Sequence, residues 1–545
     1  RSTLFPYTTL FRSNQRQLFF LFFFFLFIVT VPIVILSARG YLFDWNNNIF
    51  VFSGSISVKS WPRNIDIYLN GEKQKYRDLN IINNTMSLNA IRPGRYELRC
   101  EKPGYTSWQK TIDVHSGIST EFWNVLLFPL EKKHKTFTTP SVEQFFISPR
   151  TKGELVYFYH DNDNIVVSLL NTKENLSEEI YRSDKFEFVD ADEKENVEWS
   201  SDNKSLLIPV KNKLTKEKDY LVAPIRRAQL GEVIEVSSLF SDRQPTAPNK
   251  VKNAIQTKNN LDSSKKTTAV KTTDTDSKKD PDNLKLHQVR WMFDQNKELV
   301  VLTEKQQLFY INIEKPNNKI LIDEAVSGFN FAGNRIYYSK LPNNLIWEIK
   351  NNDITTKRQI TFNDISIPEN SFLSIHTFDQ YRIAIITPNK ELFLHNEEKE
   401  KGEYYFGKID DNVNSLQFSN DGEKMLYWKD NEILATMLRD WEAQPIRKKG
   451  DKIFVTRFSS AIKNVQWLED YENILFSNNN MVKVAELDNR DHINITDVIN
   501  FPDYVPVDRD LIYDKSNQLL YTRSNKNNSF QLESFLLIDK ENLIF

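Results

Sequence analysis

Several residue types that would indicate a particular chemistry are scarce in this 545-residue chain. A single cysteine, Cys100, excludes an internal disulfide framework and a cysteine-based metal cluster. Only 14 glycines are present, which argues against glycine-rich loops that cradle phosphate. The formal net charge is −2, so no overall positive charge favours nucleic acid, and no nucleic-acid partner is predicted.

Recognisable catalytic and metal-binding motifs are also missing from the sequence. It contains no H-E-x-x-H, P-loop, G-x-G-x-x-G or G-x-S-x-G pattern. The 7 histidines are scattered, with no pair at the spacing of metal ligands. We therefore predict no catalytic residues, no metal site, no cofactor and no enzymatic activity.

Long apolar runs are absent except for one, which extends almost unbroken from Leu18 to Leu36. Roughly 20 such residues span the hydrocarbon core of a bilayer as a helix. The run is longer than the apolar segment of a signal peptide, and Leu36 fits poorly at the third position before a cut after Ala38. We interpret residues 14–39 as a retained single-pass anchor in the lipid bilayer, with a cleaved signal peptide as the alternative.

The residues that flank this run say little about its orientation. Thr3 to Ser13 resemble, residue for residue, the translation of a sequencing adapter, so we interpret residues 1–13 as an artefact. Because the chain has no starting Met, the position of the native N-terminus stays open. Arg16 and Arg39 then balance each other under the positive-inside rule. Since long domains cross membranes largely regardless of charge, we predict a cytoplasmic N-terminus and extracytoplasmic C-terminal domains at the cell surface.

Beyond the apolar run, apolar and polar residues alternate with the period of two that predicts strands. Ile67 and Leu69 alternate with polar neighbours before Asn70-Gly71, a dipeptide that favours a tight hairpin because both positions accept positive φ. About six short strands in residues 40–132 predict a small antiparallel β-sandwich. Cys100 shares the apolar phase of its strand and is expected to be buried.

A series of glycine, proline and aromatic residues punctuates these strands. Its members are Trp61, Pro62, Gly71, Gly94, Tyr96, Gly104, Tyr105 and Trp108. The series resembles the PEGA domain, most specifically in G-x-Y-x-L followed by K-x-G-Y-x-x-W. The Pro-Glu-Gly-Ala turn departs from that family, since only its proline, Pro62, is present. The resemblance implies a β-sandwich found on bacterial and archaeal surface proteins, mostly without enzymatic activity. The aromatic residues are expected to form its core, with a sugar-binding platform as the alternative.

Residues 140–545 contain a repeated unit, in which an aromatic residue precedes a Ser- or Asp-containing turn and an apolar strand. The clearest copies contain Trp199 with Asp202, Trp291, Phe418 with Asp421 and Gly422, and Trp467. Most copies are about 40–55 residues apart, close to the period of a four-stranded propeller blade. The pattern resembles the repeats of TolB-like and WD40-like propellers, which implies seven or eight blades; sandwiches in tandem are the alternative.

One interval between copies is too long for a single blade. It contains residues 242–285, a stretch rich in Lys, Thr, Ser, Asp and Asn with few large apolar residues. Such a composition buries too little apolar surface to offset the entropy of ordering the chain. We therefore predict a disordered insertion in the propeller.

These patterns together predict an all-β protein with an N-terminal transmembrane helix, a PEGA-like β-sandwich and a seven- or eight-bladed β-propeller. The predicted function is non-catalytic binding of a protein or an envelope polysaccharide by the propeller, with the sandwich as a spacer. A propeller-type glycan hydrolase or lyase is the alternative, and two carboxylates roughly 5–10 Å apart in an aromatic-lined funnel would strongly favour it. A sensor ectodomain is a third hypothesis.

Overall fold

The computed structural model describes residues 13–44, 49–80, 85–189, 197–226, 232–240, 284–351, 353–526 and 529–538. The interpreted artefact at residues 1–13 lies outside this part except for Ser13, and the predicted insertion lies outside it except for its last two residues. The described chain forms two compact units. One combines the residues up to Ile147 with those from Asp410 onward, and the other is Ser148–Ile409.

The apolar run forms one helix, α1 (Ser13–Ala38), that contains Pro32. Its segment Gln17–Ala38 is long and apolar enough to cross a membrane. At about 1.5 Å per residue, these 22 residues extend roughly 33 Å, close to the thickness of a bilayer core. The helix is followed by a two-stranded hairpin, β1 (Tyr41–Asp44) and β2 (Ile49–Phe52).

The small sandwich follows the hairpin and occupies the predicted region. Its described strands are β3 (Gly54–Trp61), β4 (Asp66–Leu69), β5 (Glu72–Lys73), β6 (Arg77–Asn80), β7 (Thr85–Ile91), β8 (Gly94–Glu101), β9 (Trp108–Val114) and β10 (Ser119–Leu126). They form two four-stranded sheets, in the orders β10-β3-β7-β6 and β5-β4-β8-β9. Between the sheets lies an apolar core that contains the fully buried Cys100.

Local turn chemistry matches the prediction in this sandwich, but the strand directions differ from it. Asn70 and Gly71 have φ values of 49° and 82°, as the tight turn between β4 and β5 requires. The prediction of a purely antiparallel sandwich is wrong, because β10 pairs with β3 in parallel. The chain leaves β9 in one sheet and enters β10 in the other, so β10 can lie beside β3 and run in the same direction.

Two short strands come next, β11 (His134–Thr136) and β12 (Gln144–Ile147), and the second unit then consists of successive antiparallel sheets. Its strands are β13 (Glu154–Asp161), β14 (Asn164–Asn171), β15 (Leu176–Ser183), β16 (Phe186–Phe188), β17 (Glu198–Trp199), β18 (Ser205–Asn212), β19 (Lys218–Pro224), β20 (Ile234–Glu235), β21 (Leu286–Trp291), β22 (Glu298–Thr303), β23 (Leu308–Asn312), β24 (Ile320–Asp323), β25 (Val326–Ala332), β26 (Arg335–Lys340), β27 (Leu345–Lys350), β28 (Asp353–Gln359), β29 (Ser374–Asp379), β30 (Arg382–Ile386), β31 (Leu392–Glu398) and β32 (Glu403–Asp410). A 3₁₀-helix, Val236–Phe240, follows β20. From β21 onward, four consecutive strands form each sheet.

The same pattern continues in the first unit. Its strands are β33 (Ser415–Phe418), β34 (Lys424–Trp428), β35 (Glu432–Met437), β36 (Lys452–Arg457), β37 (Ile462–Trp467), β38 (Asn473–Asn478), β39 (Met481–Glu486), β40 (Ile495–Asn500), β41 (Leu511–Asp514), β42 (Leu519–Lys526) and β43 (Ser529–Leu536). The last sheet has the order β11-β43-β42-β41, so a strand from far upstream completes it. Successive four-stranded meanders are the blade architecture of a β-propeller, while the number of blades stays a prediction.

The Ser and Asp residues of the repeat have a direct structural role. The Asp421 carboxylate accepts hydrogen bonds from the Ser419 hydroxyl and from the backbone N–H of Glu423, at 2.9 Å. Ser419 Oγ in turn accepts the N–H of Lys424 at 3.0 Å. These bonds close the reversal between β33 and β34 and satisfy its polar groups, which explains why the turn needs these residue types.

A polar residue just before the repeat aromatic joins one blade to the next, which the sequence analysis missed. Gln417 Oε1 accepts the backbone N–H of Trp467 at 3.0 Å. Glu198 does the same for Trp291 at 3.1 Å. The signal was present in the sequence, because a polar residue immediately precedes the aromatic of each of these repeats. The repeat aromatics therefore lie at contacts between neighbouring blades.

Candidate functional site

The sandwich packs against blades of its own unit, through contacts that we call the joint. On the sandwich side, the joint is formed by β9 and β10. On the blade side, it is formed by residues 441–447 and by residues 486–494. The second of these segments begins at the last residue of β39. These segments are more than 300 residues apart in sequence, so only the tertiary fold brings them together.

Lys110 is the most deeply buried charge of the joint. Its side chain has no exposed surface, and its Nζ lies 2.7 Å from Glu486 Oε1. The same Nζ donates to the carbonyl oxygens of Asp488, at 2.8 Å, of Arg490, at 3.1 Å, and of His492. A buried ammonium group is tolerated only when charge and hydrogen bonds compensate for lost hydration, and this arrangement supplies both.

Glu486 receives further hydrogen bonds that hold its carboxylate in place. Trp108 Nε1 donates to Glu486 Oε2 at 2.8 Å. Asn494 donates to Oε1 from its side-chain amide at 2.8 Å, and also bonds the carbonyl of Gln109 in the sandwich. The Trp108 indole thus has two roles, since its ring packs in the sandwich core while its N–H reaches a blade.

A second set of contacts fixes β10 to the blades. Arg490 donates to the Glu121 carbonyl at 2.7 Å, and its guanidinium carbon lies 4.2 Å from the centre of the Phe122 ring. Gln444 pairs with the β10 backbone, accepting the N–H of Glu121 at 2.9 Å and donating to the Ser119 carbonyl at 2.8 Å. These two bonds satisfy backbone groups on the open edge of β10, which is the edge strand of its sheet.

Another group of buried charges lies in the blades beside the joint. Lys424, with 1% of its side chain exposed, pairs with Glu472 and lies 4.3 Å from the centre of the Trp441 ring. Arg447 reaches the same carboxylate at 3.5 Å and donates to the Leu487 carbonyl at 2.6 Å. Burial raises the pKa of Glu472, while the Lys424 and Arg447 charges act in the opposite direction.

A cleft of about 190 Å³ opens at the joint between these two charged groups. Its walls are mainly aromatic and acidic side chains. They include Trp108, Phe122, Trp123, Trp441, Glu472, Glu486 and Asp488. Trp123 and Trp441 are half-buried and line the cleft with ring surface. Flat apolar rings with a few polar groups around them suit a small ring-shaped ligand group.

The three cleft carboxylates each have a cationic partner. Glu472 pairs with Lys424, Glu486 with Lys110, and Asp488 with Arg490 at 2.6 Å. Burial alone would raise the pKa of Asp488, but hydrogen bonds and charge from Arg490 lower it. Glycoside hydrolysis uses one protonated carboxyl and one free carboxylate. Among the described cleft residues, each of these three carboxylates therefore lies in an ion pair with a lysine or an arginine.

The structure places the predicted signature residues in different environments. Tyr96 and Tyr105 are half-buried against the sandwich core, and Trp61 packs partly on an apolar cluster of the blades. Pro62 is buried, whereas Gly71, Gly94 and Gly104 are exposed. Trp108 is the one member of this series that lines the joint cleft. Tyr96 and Tyr105 do not line this cleft, and the sugar-platform alternative for the sandwich aromatics stays a prediction.

The repeat residues lie at turns and blade contacts and do not gather in one site. Trp291 and Trp467 are buried, Trp199 and Phe418 are half-buried, and Asp202 and Asp421 are exposed. Gly422 lies in the turn between β33 and β34. Within the described ranges, no group of three or more His, Cys, Asp or Glu residues could hold a metal ion.

The sequence analysis missed the charged residues of the joint. One signal for Lys110 was available, because it stands in the apolar phase of a strand that also contains Trp108, Ile112 and Val114. A lysine in that phase indicates a buried partner of opposite charge. Its partner, Glu486, could not be identified from local pattern.

Comparison with known proteins identifies the sandwich. Residues 53–126 match the PEGA domain, so this part of the chain is a PEGA domain. No curated protein matches the chain. The most specific predicted resemblance is thus confirmed, over slightly narrower bounds than residues 40–132.

Among solved structures, similar chains include other β-propellers. The C-terminal WD40 domain of Sif2 has 11% identity and a TM-score of 0.43, covering 75% of this chain and 99% of that one. An oligogalacturonate lyase from Vibrio parahaemolyticus has 9% identity and a TM-score of 0.37, covering 74% of this chain and 97% of that one. At these values, no activity is carried over to this chain.

Proposed function

We propose that this chain is a non-catalytic, membrane-anchored binding protein, whose propeller binds a protein or an envelope polysaccharide outside the cytoplasm. Helix α1 is the anchor, and the PEGA domain connects the blades to it. The joint carries this proposal. The buried Lys110–Glu486 ion pair joins the domain to the blades, and this pair together with Lys424–Glu472 and Arg490–Asp488 occupies the carboxylates at the cleft. The contacts of the joint support a role for the PEGA domain as the spacer that holds the blades of its own unit.

The orientation can be tested with the cysteine content of the chain. Cys100 is fully buried, so a cysteine introduced at Leu214, which is 93% exposed, is the reactive thiol. In intact cells expressing Leu214→Cys, a membrane-impermeant maleimide should label the chain, and unmodified chain should stay unlabelled. Labelling that requires cell lysis would contradict the extracytoplasmic placement.

Binding can be tested by incubating purified full-length chain in detergent with fractionated envelope protein and polysaccharide. We expect retention of one fraction, and weaker retention by Trp441→Ala, which removes a ring of the blades from the cleft wall. Phe362→Ala, at an aromatic that is 71% exposed, serves as the matched control and should bind normally. Retention of neither fraction would contradict the binding function. New reducing ends in the polysaccharide fraction would favour the enzymatic alternative.

A further inference from the structure

The hairpin after α1 has one face made only of aromatic residues. Tyr41 pairs with Phe52, and Phe43 pairs with Phe50, so the four side chains project from the same side of the two strands. The Tyr41 and Phe52 rings lie 5.1 Å apart, and so do the Phe43 and Phe50 rings. On this face, Phe50 and Phe52 are 44% and 40% exposed, while Ile49, on the opposite face, is 54% exposed.

This hairpin is poorly suited to water. Among the described strands, β1 and β2 pair only with each other. An isolated two-stranded hairpin is marginally stable in water and normally needs an apolar face covered by another layer. Phe52 packs against Gly117, but Phe50 and Phe52 still keep 44% and 40% of their side chains exposed. The exposed part of these two rings is available to an apolar layer outside the protein.

The position of the hairpin next to α1 indicates that lipid is the apolar layer that contacts these rings. Only Arg39 and Gly40 separate the end of α1 from β1, and α1 and β1 are in contact. Three residue steps reach at most about 11 Å, so β1 begins beside the end of the span. If α1 crosses the bilayer, the hairpin lies in the headgroup region, which is about 5–8 Å thick on each side of the hydrocarbon core. Aromatic side chains are enriched at that depth because their rings suit its intermediate polarity.

The hairpin is also tied to the PEGA domain. A Cβ atom at Gly117 would overlap the Phe52 ring, so the loop between β9 and β10 approaches the hairpin as only glycine allows. Gly117 N–H donates to the Ser53 carbonyl at 3.0 Å, and Ser53 N–H donates to the Gly40 carbonyl at 2.9 Å. A hairpin seated in the lipid interface would therefore hold the domain at a set distance from the bilayer.

We propose that the aromatic hairpin, Tyr41–Asp44 with Ile49–Phe52, is a membrane-interface site that inserts at the boundary between lipid headgroups and acyl chains. This proposal rests on the proposed anchor. Its ligand is the lipid bilayer that α1 spans, and its role is to fix the orientation of the PEGA domain and of the joint next to it.

The test uses full-length chain in lipid nanodiscs, with an environment-sensitive fluorophore on one introduced cysteine. The positions are Phe50→Cys in the hairpin, Phe25→Cys in α1, and Leu214→Cys as a control in water. Lipids carry a nitroxide quencher either next to the headgroup or deep in the acyl chain. We expect the Phe50 label to be quenched most by the shallow nitroxide, the Phe25 label by the deep one, and the Leu214 label by neither.

The outcomes separate the hairpin from the anchor. Deep quenching at Phe25 without quenching at Phe50 would overturn the hairpin proposal, because that proposal places Phe50 in contact with lipid. The anchor would remain intact. Absence of quenching at Phe25 would overturn the anchor, and the hairpin proposal with it. Cys100 should stay unreactive in the Phe50→Cys chain, which verifies that the PEGA domain is folded.

Discussion

Replacing Lys110 by methionine tests whether the joint stabilises the PEGA domain. Methionine keeps most of the side-chain volume but removes the ammonium group. Glu486 would then be buried without its cation, retaining the hydrogen bonds from Trp108 and Asn494. The carbonyls of Asp488, Arg490 and His492 would also lose a donor.

The size of the effect follows from the burial of both partners. Lys110 and Glu486 side chains are 0% and 9% exposed, so solvent screens their interaction little. Removing one partner of such a pair costs about 3–5 kcal/mol, because it leaves an uncompensated buried charge. Since 1.4 kcal/mol corresponds to a tenfold change, opening of the domain should become roughly 100-fold to a few thousand-fold more frequent.

Cys100 provides the assay. It is the single cysteine, it lies in the PEGA core, and a thiol reagent reaches it only when the domain opens. Labelling of full-length chain in detergent micelles, under conditions where closing is faster than reaction, therefore measures the opening equilibrium. Lys110→Met should accelerate labelling by the factor above.

Two further variants make the result decisive. Lys73→Met removes an exposed ion pair with Asp66 on the same domain and should change labelling little. Lys110→Met with Glu486→Leu removes both buried charges and should recover much of the lost stability. The reasoning is refuted if Lys110→Met labels no faster than Lys73→Met.

Two other predictions concern buried charges in each unit. Lys424→Met should destabilise the first unit by about 3 kcal/mol, because Glu472 keeps only Arg447 as a cationic partner; an unchanged urea midpoint would contradict this. In the second unit, burial and then Lys218 lower the pKa of His287 from 6.5 to about 4. The contribution of neutral His287 to the free energy of unfolding is therefore present above pH 6.5 and is lost as the pH falls toward 4. The loss is about 1–2 kcal/mol at pH 5 for a partly exposed ring. The half-exposed Glu304 carboxylate, 3.6 Å away, does not reverse this direction. His287→Gln should reduce the difference in urea midpoint between pH 7 and pH 5, and an unaltered difference would rule the titration out.

Features set by neighbouring residues could be predicted from the sequence. The turn at Asn70-Gly71 needs two residues that accept positive φ, and the repeat turn at Ser419 and Asp421 needs side chains that bond their own backbone. Both requirements act within five residues, so a local pattern is sufficient to indicate them. The repeated meanders of the blades follow from the same local signals.

Features set by distant residues could not be predicted in this way. The parallel pairing of β10 with β3 depends on the tertiary arrangement of the two sheets, in which β3 has one edge that is not paired with β7. The partner of Lys110 lies 376 positions away at Glu486, in a segment whose alternation resembles that of any blade strand. The cleft forms only where Trp123 of β10 and Trp441 of the blades come together, and local periodicity does not determine this.

The placement of the stabilising contacts bears on how the first unit moves. Phe52 meets the sandwich at Gly117, in the loop between β9 and β10, and these two strands carry Lys110 and Glu121 into the joint. The hairpin and the joint thus both contact the segment that consists of β9, β10 and the loop between them. A tilt of the PEGA domain would have to break either the aromatic contact at Gly117 or the buried pair at Lys110. If α1 spans a bilayer as proposed, these two contacts limit how far the blades of the first unit move relative to the hairpin. The exposed Phe52 contact is the weaker one in water, and insertion of the hairpin into lipid would strengthen it.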